Sequence, residues 1–227
     1  MGMPIIGELT TTTLDGPIHY QQGGEGPSLL LIHGMGSSCG SWRQTLGPLA
    51  REFRVYAPCI LGLGDSGKPS REYCFEEYSE AMFNFMDKIN LWSTLVIGHS
   101  LGGMLAVQMA VSCPERVVAV VMEGCPAWTD VHRKRFPIDM AALAYGDGSP
   151  KPYSLEDLKS LYYEPTEEVL SEFNNDRLKP GPWNMAWIRA LSAFDIRSAI
   201  AKVRIPALVV FGEAETYREH EQYFLDP

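Results

Sequence analysis

The sequence predicts an α/β fold in which a mostly parallel central sheet is flanked by helices. Three observations carry that expectation. Apolar runs at residues 28–32, 53–57, 95–97, 116–122 and 205–211 read as strands, and the unalternating Leu95-Val96-Ile97 suits a parallel sheet covered on both faces. Segments of helical periodicity lie between them. Two of the runs end in glycine-rich turns, His33-Gly34-Met35-Gly36 and Gly98-His99-Ser100-Leu101-Gly102. Ligands bind at such carboxyl ends of strands in open α/β sheets.

In chain order, residues 5–13 and 17–22 are β-prone and are separated by Leu14-Asp15-Gly16-Pro17, which reads as an antiparallel hairpin. Ser28 to Ile32 follows as a buried strand. The loop after it, His33 to Ser38, can aim backbone N–H groups at a developing negative charge, and phosphate binding competes for the same feature. Phe75, Tyr78, Met82, Phe85, Met86 and Ile89 recur at helical spacing, so residues 74–90 form an amphipathic helix whose apolar stripe is core. Arg116 to Met122 is a buried strand ending at Glu123-Gly124-Cys125-Pro126. Residues 126 to about 192 break the rhythm. Ser154-x-x-Asp157 and Thr166-Glu167-Glu168 look like helix starts, and a loop at 179–182 precedes a helix with Trp183, Trp187 and Leu191. The sheet resumes at Ile205.

A length of 227 residues allows one domain carrying an insertion. Apolar residues are 45% and charged residues 21%, an ordinary globular composition. The net charge of −9 without a basic cluster argues against nucleic acid and anionic membrane as partners. No apolar run approaches the ~20 residues that span a bilayer, and the start lacks a secretory signal, so a cytoplasmic location is expected. Gly2 invites a myristoyl anchor, but Ile6 stands where that motif wants Ser or Thr. Five scattered cysteines, Cys39, Cys59, Cys74, Cys113 and Cys125, lack the spacing of a zinc site or disulfide framework and are expected as buried free thiols.

Ser100 is the candidate nucleophile. A serine hydroxyl reacts only where a sharp turn exposes it to a base, and Gly98 and Gly102 remove the side chains that would obstruct that turn. A turn serine in a non-catalytic α/β protein is the plainer reading, and the flanking strand and helix count against it. Together with His33-Gly34-Met35-Gly36, Trp42, the strand 53–57 and the loop Leu61-Gly62-Leu63-Gly64-Asp65-Ser66-Gly67-Lys68-Pro69, the chain resembles the α/β-hydrolase superfamily in its esterase-like branch. That resemblance runs from about Pro17 to Thr216.

The resemblance implies an α/β-hydrolase core over residues 1–125 and 193–227, with a helical cap inserted over 126–192. It implies that the N–H groups of Met35 and Leu101 form an oxyanion hole, and that His33, Gly34, His99 and Trp128 lie at the substrate. Glu215 stands at the last position of the GxxD-like Gly212-Glu213-Ala214-Glu215, where relatives carry the acid that orients a histidine; Glu123 is the alternative acid. One departure is Pro58-Cys59 where an Asp commonly precedes the loop at 61–69. Another is the histidine itself. The superfamily places it one strand after the acid, and only Thr216 to Pro227 follow, so the last strand and helix have no counterpart and a truncated hydrolase is expected. His220 is the remaining candidate, with a surface histidine as the bland reading.

The implied reaction is hydrolysis of an ester or related small, apolar carbonyl substrate through an acyl-enzyme, without metal or organic cofactor. Serine at position 100 argues against the haloalkane dehalogenase and epoxide hydrolase relatives, whose nucleophile is aspartate. A ligand-binding relative without catalysis is the contrasting expectation. The cap aromatics Trp128, Phe136, Tyr145, Tyr153, Tyr162, Tyr163, Trp183 and Trp187 line an apolar pocket on one reading, and on the plainer one pack the cap's own core.

Overall fold

Seven strands form one sheet, and the computed structural model describes residues 4–213, 215 and 217–225. Gly2 and Thr216, named above, lie outside the described residues. The hairpin forms as expected: β1 (Ile6–Thr13) pairs antiparallel with β2 (Gly16–Gly23), and the Thr13–Gly16 pairing leaves Leu14-Asp15 as the turn. Then come β3 (Ser28–Ile32), α1 (Arg43–Leu49), β4 (Arg54–Pro58), α2 (Phe75–Lys88), β5 (Thr94–His99), α3 (Leu101–Ser112) and β6 (Val117–Glu123). The order across the sheet is β1-β2-β4-β3-β5-β6-β7, with β7 at Ala207–Val210, and every pair from β4 onward is parallel.

The absence of alternation in the strands has the cause inferred from sequence. Leu30, Ile32, Val96 and Tyr56 face a core shared with α2 and α3, while Leu29, Leu31, Val55 and Ala57 face a second core with α1. Both faces of β3 and β4 are therefore dry, whereas on β6, expected as a buried strand, Val118 is exposed. The edge differs. Leu208 is 57% exposed on β7, the strand with which the sheet resumes. Among the described residues β7 ends the sheet and pairs with β6 alone.

Residues 126–192 are helical. They hold α4 (Asp130–Ala142), α5 (Leu155–Leu158), α6 (Glu167–Leu178) and α7 (Asn184–Ala193); α8 (Ile196–Ile200) and, after β7, α9 (Glu221–Leu225) complete the set. Ser154 and Thr166 cap α5 and α6, each hydroxyl accepting the N–H three residues on. Trp183 ends a short 3-10 turn just before α7. The expectation that the aromatics of this layer pack among themselves holds for Trp128 on Phe136 and for Tyr153 and Tyr162 against Phe173, but not for Trp187. Trp187 is fully buried, stacks on Tyr78 of α2 with ring centroids 3.6 Å apart, and donates its indole N–H to the Leu61 carbonyl at 3.0 Å. It belongs to the main core. Tyr145, Tyr162 and Tyr163 are exposed. Polar ties reinforce the join: Ser38 donates to buried Asp176 at 2.6 Å, and Lys179 bridges Asp176 and Asp65. Among the described residues no helix is long and apolar enough to cross a membrane.

Candidate active site

The turn from β5 into α3 is set by backbone contact. A Cβ on Gly98 would fall 2.1 Å from the Gly102 carbonyl oxygen, and one on Gly102 would fall 2.1 Å from that of Ile32. No side chain tolerates either approach. Between them Ser100 takes φ 51° and ψ −116°, a conformation that costs a non-glycine residue on the order of 1–3 kcal/mol. The surrounding hydrogen bonds hold it there. Its N–H donates to the Glu123 carbonyl at 2.8 Å, and its carbonyl accepts from the N–H groups of Gly103 and Met104. The residue is half-buried, with its side chain at the start of a helix.

The glycine-rich loop meets this turn. A Cβ on Gly34 would lie 3.4 Å from Ser100 Cβ and 2.9 Å from His99 Cδ2, so only glycine lets the two segments approach. His33 anchors the loop from beneath. It is fully buried, its Nδ1–H donates to the Gly34 carbonyl at 2.8 Å, and its Nε2 accepts the Ile60 N–H at 2.9 Å. Burial holds its pKa down at about 4, so the ring is neutral. His33 was expected at the substrate; with both nitrogens engaged and no exposed surface, it is a strut for the loop. Leu101 opens α3 and has no intrahelical acceptor for its N–H. Among the described residues neither it nor the half-buried Met35 N–H donates to another group.

The carboxylates gather at the ends of β6 and β7. His99 Nδ1 is hydrogen-bonded to Glu123 Oε2 as an ion pair, both side chains partly exposed. Burial lowers the His99 pKa, but the Glu123 bond and charge, with the charge of Glu215, outweigh it and leave the pKa raised. Burial likewise raises Glu123, and His99 reverses this to a net lowering. Gly124, at φ 53°, makes room: a Cβ there would lie 3.1 Å from Glu215 Oε2 and 3.5 Å from His99 Cε1. Glu215 is thus brought to the same rim as Glu123 and His99.

His220 is placed elsewhere. It is 3% exposed, Nδ1 accepts the Ala127 N–H at 3.2 Å, and its ring packs near His132 and Tyr217. Burial, then the neighbouring His132, lowers its pKa. It is neither a surface histidine nor a partner of Ser100. Among the described residues no histidine is hydrogen-bonded to the Ser100 hydroxyl. Trp128, expected at the substrate, is 5% exposed and packed 4.4 Å from Phe136. A cleft of about 350 Å³ between α2, α3, α7 and α8 is lined by Phe75, Gln108, Phe194 and Asp195 and does not include Ser100. No group of three or more metal-ligating side chains occurs among the described residues.

Comparison with known proteins gives this arrangement a context. A family model described as alpha/beta hydrolase fold matches residues 27–217. Bifunctional epoxide hydrolase 2 of Mus musculus is 38% identical over 112 residues, 48% of this chain and 20% of that protein. The 2-hydroxy-6-oxo-6-(2'-aminophenyl)hexa-2,4-dienoic acid hydrolase of Metapseudomonas resinovorans is 28% identical over 213 residues, covering 86% of this chain and 70% of the relative. The chain spans less than a third of the first curated relatives it matches, 30% for an uncharacterised protein of Mycobacterium tuberculosis. A hydrolase structure from Pseudomonas aeruginosa superposes with a TM-score of 0.77 at 22% identity, covering 96% of this chain and 85% of that one, a likeness of fold.

Proposed function

Because the chain belongs to the alpha/beta hydrolase fold family, we propose that it is built for acyl transfer from an ester or related small carbonyl substrate, with Ser100 as the nucleophile. The observation that carries this reading is the strained Ser100 turn, packed within a Cβ's reach of Gly34. Strain of this kind persists only where the surroundings over-determine it, and here it puts Ser100 directly before the Leu101 N–H and against the loop that carries Met35. In the proposed step Ser100 Oγ attacks the carbonyl carbon, the Met35 and Leu101 N–H groups receive the charge on the carbonyl oxygen, and the alcohol leaves. Water then releases the acyl group. His33 acts by holding the loop. Residues 126–192 form the cap over this centre, and Glu215, with Glu123 as the alternative, is the acid on which a histidine would be oriented. The names of these relatives span epoxide and dienoic acid hydrolysis; serine at position 100 favours acyl over alkyl transfer.

A general base contributes about 10²- to 10⁴-fold, and none of the five histidines is bonded to Ser100. The test therefore supplies one. Hydrolysis of a short p-nitrophenyl ester, followed with and without added imidazole and corrected for the rate of imidazole and ester without protein, is expected to show an imidazole-dependent excess in the wild type that Ser100→Ala lacks. Equal rates in the two proteins would dismiss the nucleophile. The same missing contact favours a second reading, a chain that binds a small apolar ligand without turning it over. A ligand that raises the melting temperature while both proteins leave the ester alone would select it.

A further inference from the structure

The sulfur of Cys59, in the Pro58-Cys59 pair that precedes the loop at 61–69, has an unusual neighbour. Cys59 Sγ and Cys39 Sγ lie 3.0 Å apart, hydrogen-bonded, and the Cys39 N–H points to Cys59 Sγ at 3.3 Å. Both residues are buried, Cys39 at 3% and Cys59 at 0% exposure. Cys74 is exposed, Cys113 half-buried and Cys125 buried, and among the described residues none of these three touches another sulfur. The contact is therefore specific to one pair in the fold.

We propose that Cys39 and Cys59 are a redox pair that closes to an intramolecular disulfide beneath the glycine-rich loop. A disulfide has its sulfurs about 2.05 Å apart, so closure asks for a movement of about 1 Å from the contact already present. The chemistry is also polarised. Hydrogen bonds from Cys39, outweighing burial, hold the Cys59 thiol below its ordinary pKa, while the same bond and burial push Cys39 up. Cys59 is thus the attacking sulfur. With a peroxide as oxidant, its thiolate takes the distal oxygen, the O–O bond breaks, and hydroxide leaves a sulfenic acid. The Cys39 sulfur then attacks Cys59 Sγ; the S–S bond forms, the S–O bond breaks, and water leaves with the Cys39 proton. Two thiols are oxidised and the peroxide becomes two waters.

The location gives the bond a consequence. Cys39 follows Ser38, which holds Asp176 of α6, and the Cys59 carbonyl accepts the Ser66 hydroxyl at 2.8 Å in the loop that Lys179 and Trp187 grip. A disulfide would staple the loop carrying Met35 to the loop beneath the helical layer. Burial makes the reaction wait for opening of the 59–67 loop, so its rate reports that opening.

The test treats the folded protein with hydrogen peroxide, blocks remaining thiols with iodoacetamide and maps the peptides by mass. The expected product is a Cys39–Cys59 linked peptide two hydrogens lighter than its parts, reversed by dithiothreitol, lost in Cys39→Ser and retained in Cys74→Ser. Wild-type mapping decides the matter even if a variant folds poorly. Both cysteines alkylated after Cys74 has been fully oxidised would overturn the proposal. So would a link that forms only in urea.

Discussion

The turn at Ser100 and the sheet edge at β7 are both carboxyl ends of parallel strands, yet they are held in different ways. At Ser100 the geometry is fixed by backbone against backbone, with glycines at 98 and 102 where a Cβ would overlap a carbonyl oxygen at 2.1 Å. At β7 the strand pairs with β6, Leu208 and Val210 are exposed, and beyond its end Glu215 comes within charge range of His99, which pairs with Glu123 at a partly exposed rim. Steric exclusion leaves one solution. Charge pairing at a wet rim leaves several, so the Ser100 turn is rigidly specified and the carboxylate rim is adjustable.

That contrast predicts a graded series. The largest effect belongs to Ser100→Ala, which is expected to remove the imidazole-dependent ester hydrolysis by about 10²-fold or more while leaving the melt unchanged or slightly raised. Retained activity would show the strain to be structural only. Next, Gly102→Val should destabilise by more than about 3 kcal/mol in urea titration, since backbone cannot yield as a flexible side chain does. A small change there would erase the distinction between the two regions.

At the acid rim the expected effects are smaller. Glu123→Gln should lower the His99 pKa in an NMR titration and cost about 1 kcal/mol or less, because the pair is partly exposed. The sign with pH follows from both partners. The raised His99 pKa contributes stability that is full below the unfolded value of about 6.5 and is lost as pH rises through the folded value. The lowered Glu123 pKa contributes above about 4.5 and is lost as pH falls through its folded value. Wild type minus Glu123→Gln should therefore be greatest between these limits; a difference that grows steadily toward high pH would contradict the pair. Smallest of all, Leu208→Asn on exposed β7 should shift stability by no more than about 0.5 kcal/mol.

The same contrast explains what the sequence made legible. The elbow, the hairpin and α2 are written in local signals: glycines at fixed offsets, a turn between β-prone runs, an apolar stripe starting after Cys74. The helix α4 carried no such signal, having no buried residue and Pro137 within it, so nothing periodic marks it. Trp187 was legible as apolar but not as a core residue of the first layer, since its partners Tyr78 and Leu61 lie more than a hundred residues upstream. Nor does a sequence reveal that Nε2 of His33 is filled by the Ile60 N–H, or that Cys39 and Cys59 meet. The expectation that all five cysteines are buried fails at exposed Cys74 because it caps a helix at the surface.

The central claim is that the fold presents Ser100 as a nucleophile beside two free N–H groups, lacking only a base. Its most direct test is the mass of the folded protein after incubation with a fluorophosphonate in imidazole buffer, followed by peptide mapping. One adduct is expected, carried on Ser100, formed faster as imidazole is raised and absent from Ser100→Ala. A folded wild-type protein that gains no adduct at Ser100, or gains it only after unfolding, would contradict it.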